Sequence, residues 1–178
     1  TGDDVRVTSA IAVTPDEWVH VAATFDGSVL TLYVNGERAA MKTTGFQCVT
    51  GEGEFRMGER LVGDIDEVRV WNYARSADEI QGQMDAFLMF NPPGGTAVLT
   101  GEMIQVADLS STFERLTTWT VEAQVRVDQT QGAGVIAMRA ANANATLWNW
   151  YLGINAQGQL EARYTAEYER REFIPVSD

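Results

Sequence analysis

The stretch VHVAATFDGSVLTLYVNGERAA, residues 19–40, restricts the fold more than any other feature of the chain. It reads as a strand, a turn at Asp26-Gly27, a second strand, and then Asn35-Gly36. Asn-Gly between alternating runs is the strongest short hairpin signal, because both residues accept positive φ. Leu30, Leu32 and Val34 fall on one face of the second strand, Thr31 and Tyr33 on the other. A chain that begins this way commits to β-structure.

The rest keeps the same grammar. Further strands are expected at 54–58, 64–71, 97–106, 118–127, 135–139, 148–154 and 159–165. Turns are expected at Thr100-Gly101, Gly132-Ala133-Gly134 and Asn155-Ala156-Gln157-Gly158. Short strands at this regular spacing predict an all-β, antiparallel two-sheet jelly-roll sandwich rather than βαβ units. One short helix interrupts them: Ser76-Ala77-Asp78-Glu79 is a capping box, with Ile80 and Met84 following at helical spacing. Trp18, Phe25, Leu32, Val68, Val70, Val121, Val125, Leu152 and Ile154 are expected to share one core.

FNPPGG, at 90–95, is the linker-like stretch, and it divides the chain at residues 91–96. The two sides are not repeats of each other. A chain of 178 residues fits one large domain or two small ones.

Charge narrows the partners. Twenty-five acidic residues against 13 basic give a net charge of −12. Such a field repels phosphate backbones and anionic lipid, so nucleic acid is not an expected partner. Membrane insertion is not expected either, since the longest apolar run, AFLMF at 86–90, is far short of a span. TGDDVRV does not read as a signal peptide. Cys48 is the one cysteine and is expected to be a buried structural thiol. His20 is the one histidine, which excludes His-cluster metal sites.

At this point the chain resembles a known family, the laminin-G-like domains of the concanavalin A-like jelly-roll class. WVHVAATFDGSVLTLYVNG, residues 18–36, is similar to the family's central hairpin, and GDIDEVRVWNYARSADEI, residues 63–80, to its closing strand and short helix. AVLTGEMIQVAD, TWTVEAQVRVD and WYLGINAQGQLEARY, within 97–165, are similar to the strands that open such a domain. Residues 1–90 therefore resemble a C-terminal half and residues 97–178 an N-terminal half, in inverted order. Either the chain is circularly permuted and closes through 91–96, or it spans the end of one tandem domain and the start of the next. Because half a sandwich exposes an apolar face and strand edges, the halves are expected to complete one sandwich, within a chain or by exchange between chains.

The carboxylates Asp64, Asp66 and Glu67 raise the question of catalysis. A retaining glycosidase needs two carboxyls about 5–5.5 Å apart on one side of the sugar. Regular alternation puts Asp64 and Asp66 on one face and Glu67 on the other, and Val68 occupies the next same-face position. Without a bulge no acid pair forms, and the resemblance implies framework there, so no enzyme activity is expected. Gly-x-Ser-x-Gly, phosphate-loop and zinc spacings do not occur. Polysaccharide lyases of this fold class use a histidine, yet His20 is expected to be a hydrogen-bonded framework residue inside its strand. The pentraxin double calcium site does not carry over, because residues 18–26 lack that group's cysteine-bearing signature strand.

Recognition remains. Such modules bind sugars through flat rings and amides, and NANATLWNWYLG, residues 142–153, is the richest candidate. Trp150, Leu152 and Ile154 are expected to face the core, with Trp148, Asn149 and Tyr151 left as candidate ligand contacts. Asn144-Ala145-Thr146 matches a glycan-acceptor sequon. The resemblance implies calcium as the one cofactor to consider, held by rim acids such as Asp3, Asp4 and Asp128, although no loop carries a dedicated ligand spacing. It also implies an extracellular or cell-surface module for adhesion or carbohydrate binding, whose partner is a glycan or a surface protein. The alternative is a structural repeat of a large surface protein that contacts neighbouring copies of the same domain and takes no small ligand.

Overall fold

The computed structural model describes residues 4–51, 53–86, 97–100, 104–106, 116–128, 132–142, 144 and 146–167. The 91–96 stretch lies outside them. Among the described residues the strands form two antiparallel sheets packed face to face, the expected sandwich.

The first sheet runs in the order β1 (Asp4–Ala12), β13 (Gln159–Glu167), β12 (Trp148–Ile154), β11 (Gly134–Ala140), β6 (Phe55–Met57) and β9 (Ile104–Val106), with β5 (Gln47–Cys48) paired to β13. The second runs β4 (Glu37–Thr43), β3 (Val29–Val34), β2 (Trp18–Phe25), β10 (Trp119–Val127), β7 (Val62–Trp71) and β8 (Ala97–Thr100). Both sheets contain strands that precede residue 91 and strands that follow it. The clearest case is β10, paired with β2 on one side and β7 on the other.

Local chemistry explains the turns. Asn35 (φ 50°) and Gly36 (φ 77°) make the primed turn between β3 and β4. Asp26 Oδ1 accepts the backbone N–H groups of Ser28 (2.8 Å) and Val29 (2.7 Å), which closes the preceding turn. Helix α1 (Ala77–Gln83) carries the expected capping box, with the Glu79 carboxylate accepting the Ser76 N–H at 2.7 Å and Ser76 Oγ accepting the Glu79 N–H at 3.2 Å.

The core lies between the sheets. Phe25 of β2 meets Tyr164 of β13 with ring centroids 4.6 Å apart, a direct bridge between layers. Leu32, Val121, Val125, Leu152 and Ile154 are fully buried beside them, with Val68 and Val70 packed against this cluster. Trp18 departs from expectation. It is 43% exposed, because Val21, Ala23 and Phe25 face inward and alternation sends residue 18 to the outer face.

A second departure is in β7. Ile65 lies in the core and Val68 and Val70 pack against the same core, which regular alternation forbids. One extra residue reconciles them. Glu67 takes φ 50°, and the pairing with β10 shifts register between Gln124↔Asp66 and Glu122↔Arg69. The bulge that sequence parity left out is present, and it turns Glu67 toward the face of Asp66.

Candidate functional sites on the two outer faces

The outer face of the first sheet carries one continuous cross-strand row. Arg6 of β1 stands opposite Arg163 of β13, Arg163 opposite Tyr151 of β12, Tyr151 opposite Met138 of β11, and Met138 opposite Arg56 of β6. The guanidinium of Arg163 lies 4.4 Å from the Trp148 ring centre and 3.9 Å from that of Tyr151. Like charges directly opposite each other on a sheet repel. Arg6 and Arg163 form long ion pairs of 3.6–4.0 Å with Glu161 and Asp4. A groove of about 440 Å³ runs along this row, and its described lining includes Arg6, Arg56, Arg60 and Arg163 against Glu59 and Glu161. On a chain of net charge −12, this is a locally cationic surface.

The three residues singled out by sequence separate here. Trp148 and Tyr151 come together, ring centres 6.0 Å apart, although Tyr151 lies beneath Arg163 and is only 5% exposed. Burial pushes the Tyr151 phenol above its ordinary pKa, opposed by Arg163. Asn149 goes elsewhere. A register shift between Arg139↔Trp150 and Ala140↔Trp148 makes it the extra residue of a bulge. Its amide Nδ2–H groups reach the carbonyls of Val49 and Leu116, both at 2.9 Å, and the residue is 1% exposed. Sequence reading missed the arginines. The signal was present in LEARYTAE, where Arg163 sits between the inward Ala162 and Tyr164.

Asn144 is exposed at the lip of the same groove, while Ala145 of the sequon lies outside the described residues. Asp4 belongs to the first sheet and Asp128 follows β10 of the second, so the two do not converge; Asp3 lies outside the described residues. No group of three or more His, Cys, Asp or Glu is poised for a metal among the described residues. Cys48 is 1% exposed, and burial raises its thiol to about 11, leaving it unreactive.

The outer face of the second sheet is denser in charge. Glu122 of β10 is 1% exposed and accepts from Arg75 at 2.9 Å and Arg69 at 3.2 Å. Burial pushes its carboxyl up, against the pull of Arg75 and Arg69. The same guanidiniums hold the end of α1. Arg75 donates to the Glu79 carbonyl at 2.7 Å, and Arg69 donates to the carbonyls of Gln83 (3.2 Å) and Ala86. Cations at a helix C-terminus suit its dipole. Asp64 pairs with Arg126 at 2.6 Å, and Glu67 with Arg69 at 2.7 Å.

His20 lies within this cluster. It is 4% exposed, but neither ring nitrogen has a hydrogen-bond partner, contrary to the satisfied framework residue expected. Burial first, then the charges of Arg69 and Arg75, lower its pKa to about 4. The ring is neutral at physiological pH.

Pappalysin-1 of Mus musculus is 30% identical over 88 residues, covering 44% of this chain and 5% of that protein's length. No solved structure matches the chain significantly. No helix among the described residues is long and apolar enough to cross a membrane. The family profile described as the concanavalin A-like lectin/glucanases superfamily matches residues 1–81, so that segment is similar to this family.

Proposed function

We propose that the protein is a non-catalytic binding module of an extracellular or cell-surface protein, and that its ligand face is the outer face of the first sheet. The observation that carries this reading is the Arg163 guanidinium stacked over Trp148 and Tyr151 within a row that also holds Arg6 and Arg56. Flat stacked groups suit the faces of sugar rings, and guanidiniums pair with carboxylate or sulfate in two-point fashion. The ligand class is therefore an oligosaccharide bearing negative charge, free or carried by a surface protein. Trp148, Arg163 and Arg6 make the contacts, Tyr151 supports Arg163 from below, and Asn149 serves the fold by tying β12 to Val49 and Leu116.

The bulge at Glu67 removes one argument against hydrolysis, since Asp66 and Glu67 now line a common surface. Other features support a non-catalytic reading. The Glu67 carboxylate is tied to Arg69, and Asp66 Oδ1 accepts the Glu67 N–H at 2.8 Å. The carboxyl raised by burial, Glu122, is sealed beneath two guanidiniums.

Titration calorimetry with sulfated and uncharged oligosaccharides of equal length tests the proposal. Binding of the sulfated sugar is expected to weaken at least about tenfold in Arg163→Met and Trp148→Ala. Equal binding of the uncharged sugar, or affinity untouched by both changes, would contradict it. A second reading, a spacer repeat in a larger protein, draws on the exposed edge strand β4 and on Ile11, 80% exposed, where neighbouring copies could dock.

A further inference from the structure

A second cavity, of about 620 Å³, opens on the opposite side of the sandwich, between the end of α1 and strands β2, β10 and β7. His20, Gln124 and Asp66 form one row across these strands, and Trp18, Arg126 and Asp64 form the next. The described lining holds three carboxylates (Asp66, Glu67, Asp85), two amides (Asn35, Gln124), His20 and Trp18, with no lysine or arginine.

An acidic lining alone identifies nothing. His20 is the telling feature. Its ring is almost wholly removed from bulk solvent, it lines the cavity, and both of its nitrogens lack a hydrogen-bond partner. The closest carboxylate oxygen, Glu122 Oε2, is 3.8 Å away and already accepts from Arg75 at 2.9 Å. Buried polar atoms left without partners are rare and call for an occupant.

The surroundings define that occupant. A neutral imidazole offers one lone pair and one N–H, and the carboxylates around it supply acceptor oxygens. The Gln124 amide N–H already serves the Met84 carbonyl at 3.0 Å. The lining offers more acceptors than donors, and Asp66 and Asp85, with Glu67 already held by Arg69, favour a group that donates and carries positive charge. Trp18 already shows the preference, since the Arg126 guanidinium lies 5.2 Å over its ring. A bare metal ion fits poorly, because no metal-holding group assembles among the described residues.

We infer that this cavity is a recognition site for an alkylguanidinium or alkylammonium group, which His20, Asp66 and Asp85 would receive with Trp18 flanking it. Two sources share that chemistry, a basic side chain of a protein partner and a free amine. The site is independent of the groove on the first sheet and opposite to it in charge.

His20 is the sole histidine, so its ring nitrogens give single-site ¹⁵N signals in the intact chain. Titration with agmatine, with acetyl-Gly-Arg-Gly-amide and with neutral cellotetraose tests the inference. Both cations are expected to shift the His20 ring signals saturably, with affinity falling as salt rises, and cellotetraose to leave them in place. Tighter binding of the peptide than of agmatine would identify a protein side chain as the source, and the reverse a free amine. Asp66→Asn and the exposed Asp85→Asn should each weaken binding by about tenfold while the protein still melts cooperatively. The inference is overturned by an absence of saturable shifts with either cation, by equal shifts with cellotetraose, or by affinity undiminished in Asp85→Asn.

Discussion

Glu122 and Arg75 form an ion pair at 2.9 Å with side chains only 1% and 2% exposed. Their partners come from both sides of residue 91: Glu122 from β10, Arg75 from the segment that caps α1, and Arg69 from β7. The pair is thus a clasp. It fixes a seven-residue helix, too short to persist alone, onto the outer face of the second sheet.

Removing one partner of a buried pair strands the other charges. Glu122→Ala is expected to lower unfolding free energy by about 3–5 kcal/mol in urea titrations. Hydrogen exchange in residues 77–83 should accelerate with it. A loss within experimental error of zero would show that the clasp does not hold the helix.

The buried neutral His20 gives stability a defined pH dependence. As pH falls below 6.5 the unfolded chain takes up a proton that the folded chain refuses until about 4. Stability therefore declines on acidification through that window, by at most about 1.4 kcal/mol per pH unit. Glu122 and Gln124 of β10, Arg69 of β7, Arg75 and Asp85 surround the ring, and some of them titrate as well. Comparing urea midpoints of wild type and His20→Gln across the window isolates the histidine. Wild type should lose stability relative to His20→Gln steadily as pH falls through the window, and parallel curves would contradict the assignment.

Asn149 and Arg163 should behave differently from each other. Asn149→Ala frees the carbonyls of Val49 and Leu116 from their donor and is expected to cost about 1–3 kcal/mol. Affinity for an anionic sugar should stay unchanged in that variant. Loss of affinity with full stability would instead make Asn149 a direct contact.

The hairpin at 19–40, the capping box and the inward faces of β3 and β12 were legible because each depends on local chemistry: positive φ at Asn-Gly, a Ser–Glu exchange, and strict alternation. Trp18 was also legible, since its parity opposes that of Phe25, yet a large ring invites placement in the core. The bulge at Glu67 left a trace as well. Ile65 and Val68 can face one core only if a residue is inserted between them. The outward parity of Arg163 was legible, but its assembly with Arg6 into a groove, and the His20 cavity, were not, because they depend on which strands become neighbours. Arg6 and Arg163 are far apart in sequence and opposite in the sheet.

Both surfaces draw on both sides of residue 91. The groove takes Arg6 and Arg56 from one side and Trp148, Tyr151 and Arg163 from the other. The cavity takes His20 and Asp66 from one and Gln124 from the other. We propose accordingly that residues 1–90 and 97–178 form one sandwich, as the place of β10 between β2 and β7 supports. The most direct measurement is to express the two segments separately, record their thermal melts, and then mix them. Neither segment should melt cooperatively alone, and an equimolar mixture should recover a single cooperative transition together with the His20 ring signal of the intact chain. Two segments that each melt cooperatively alone and do not associate on mixing would contradict the claim.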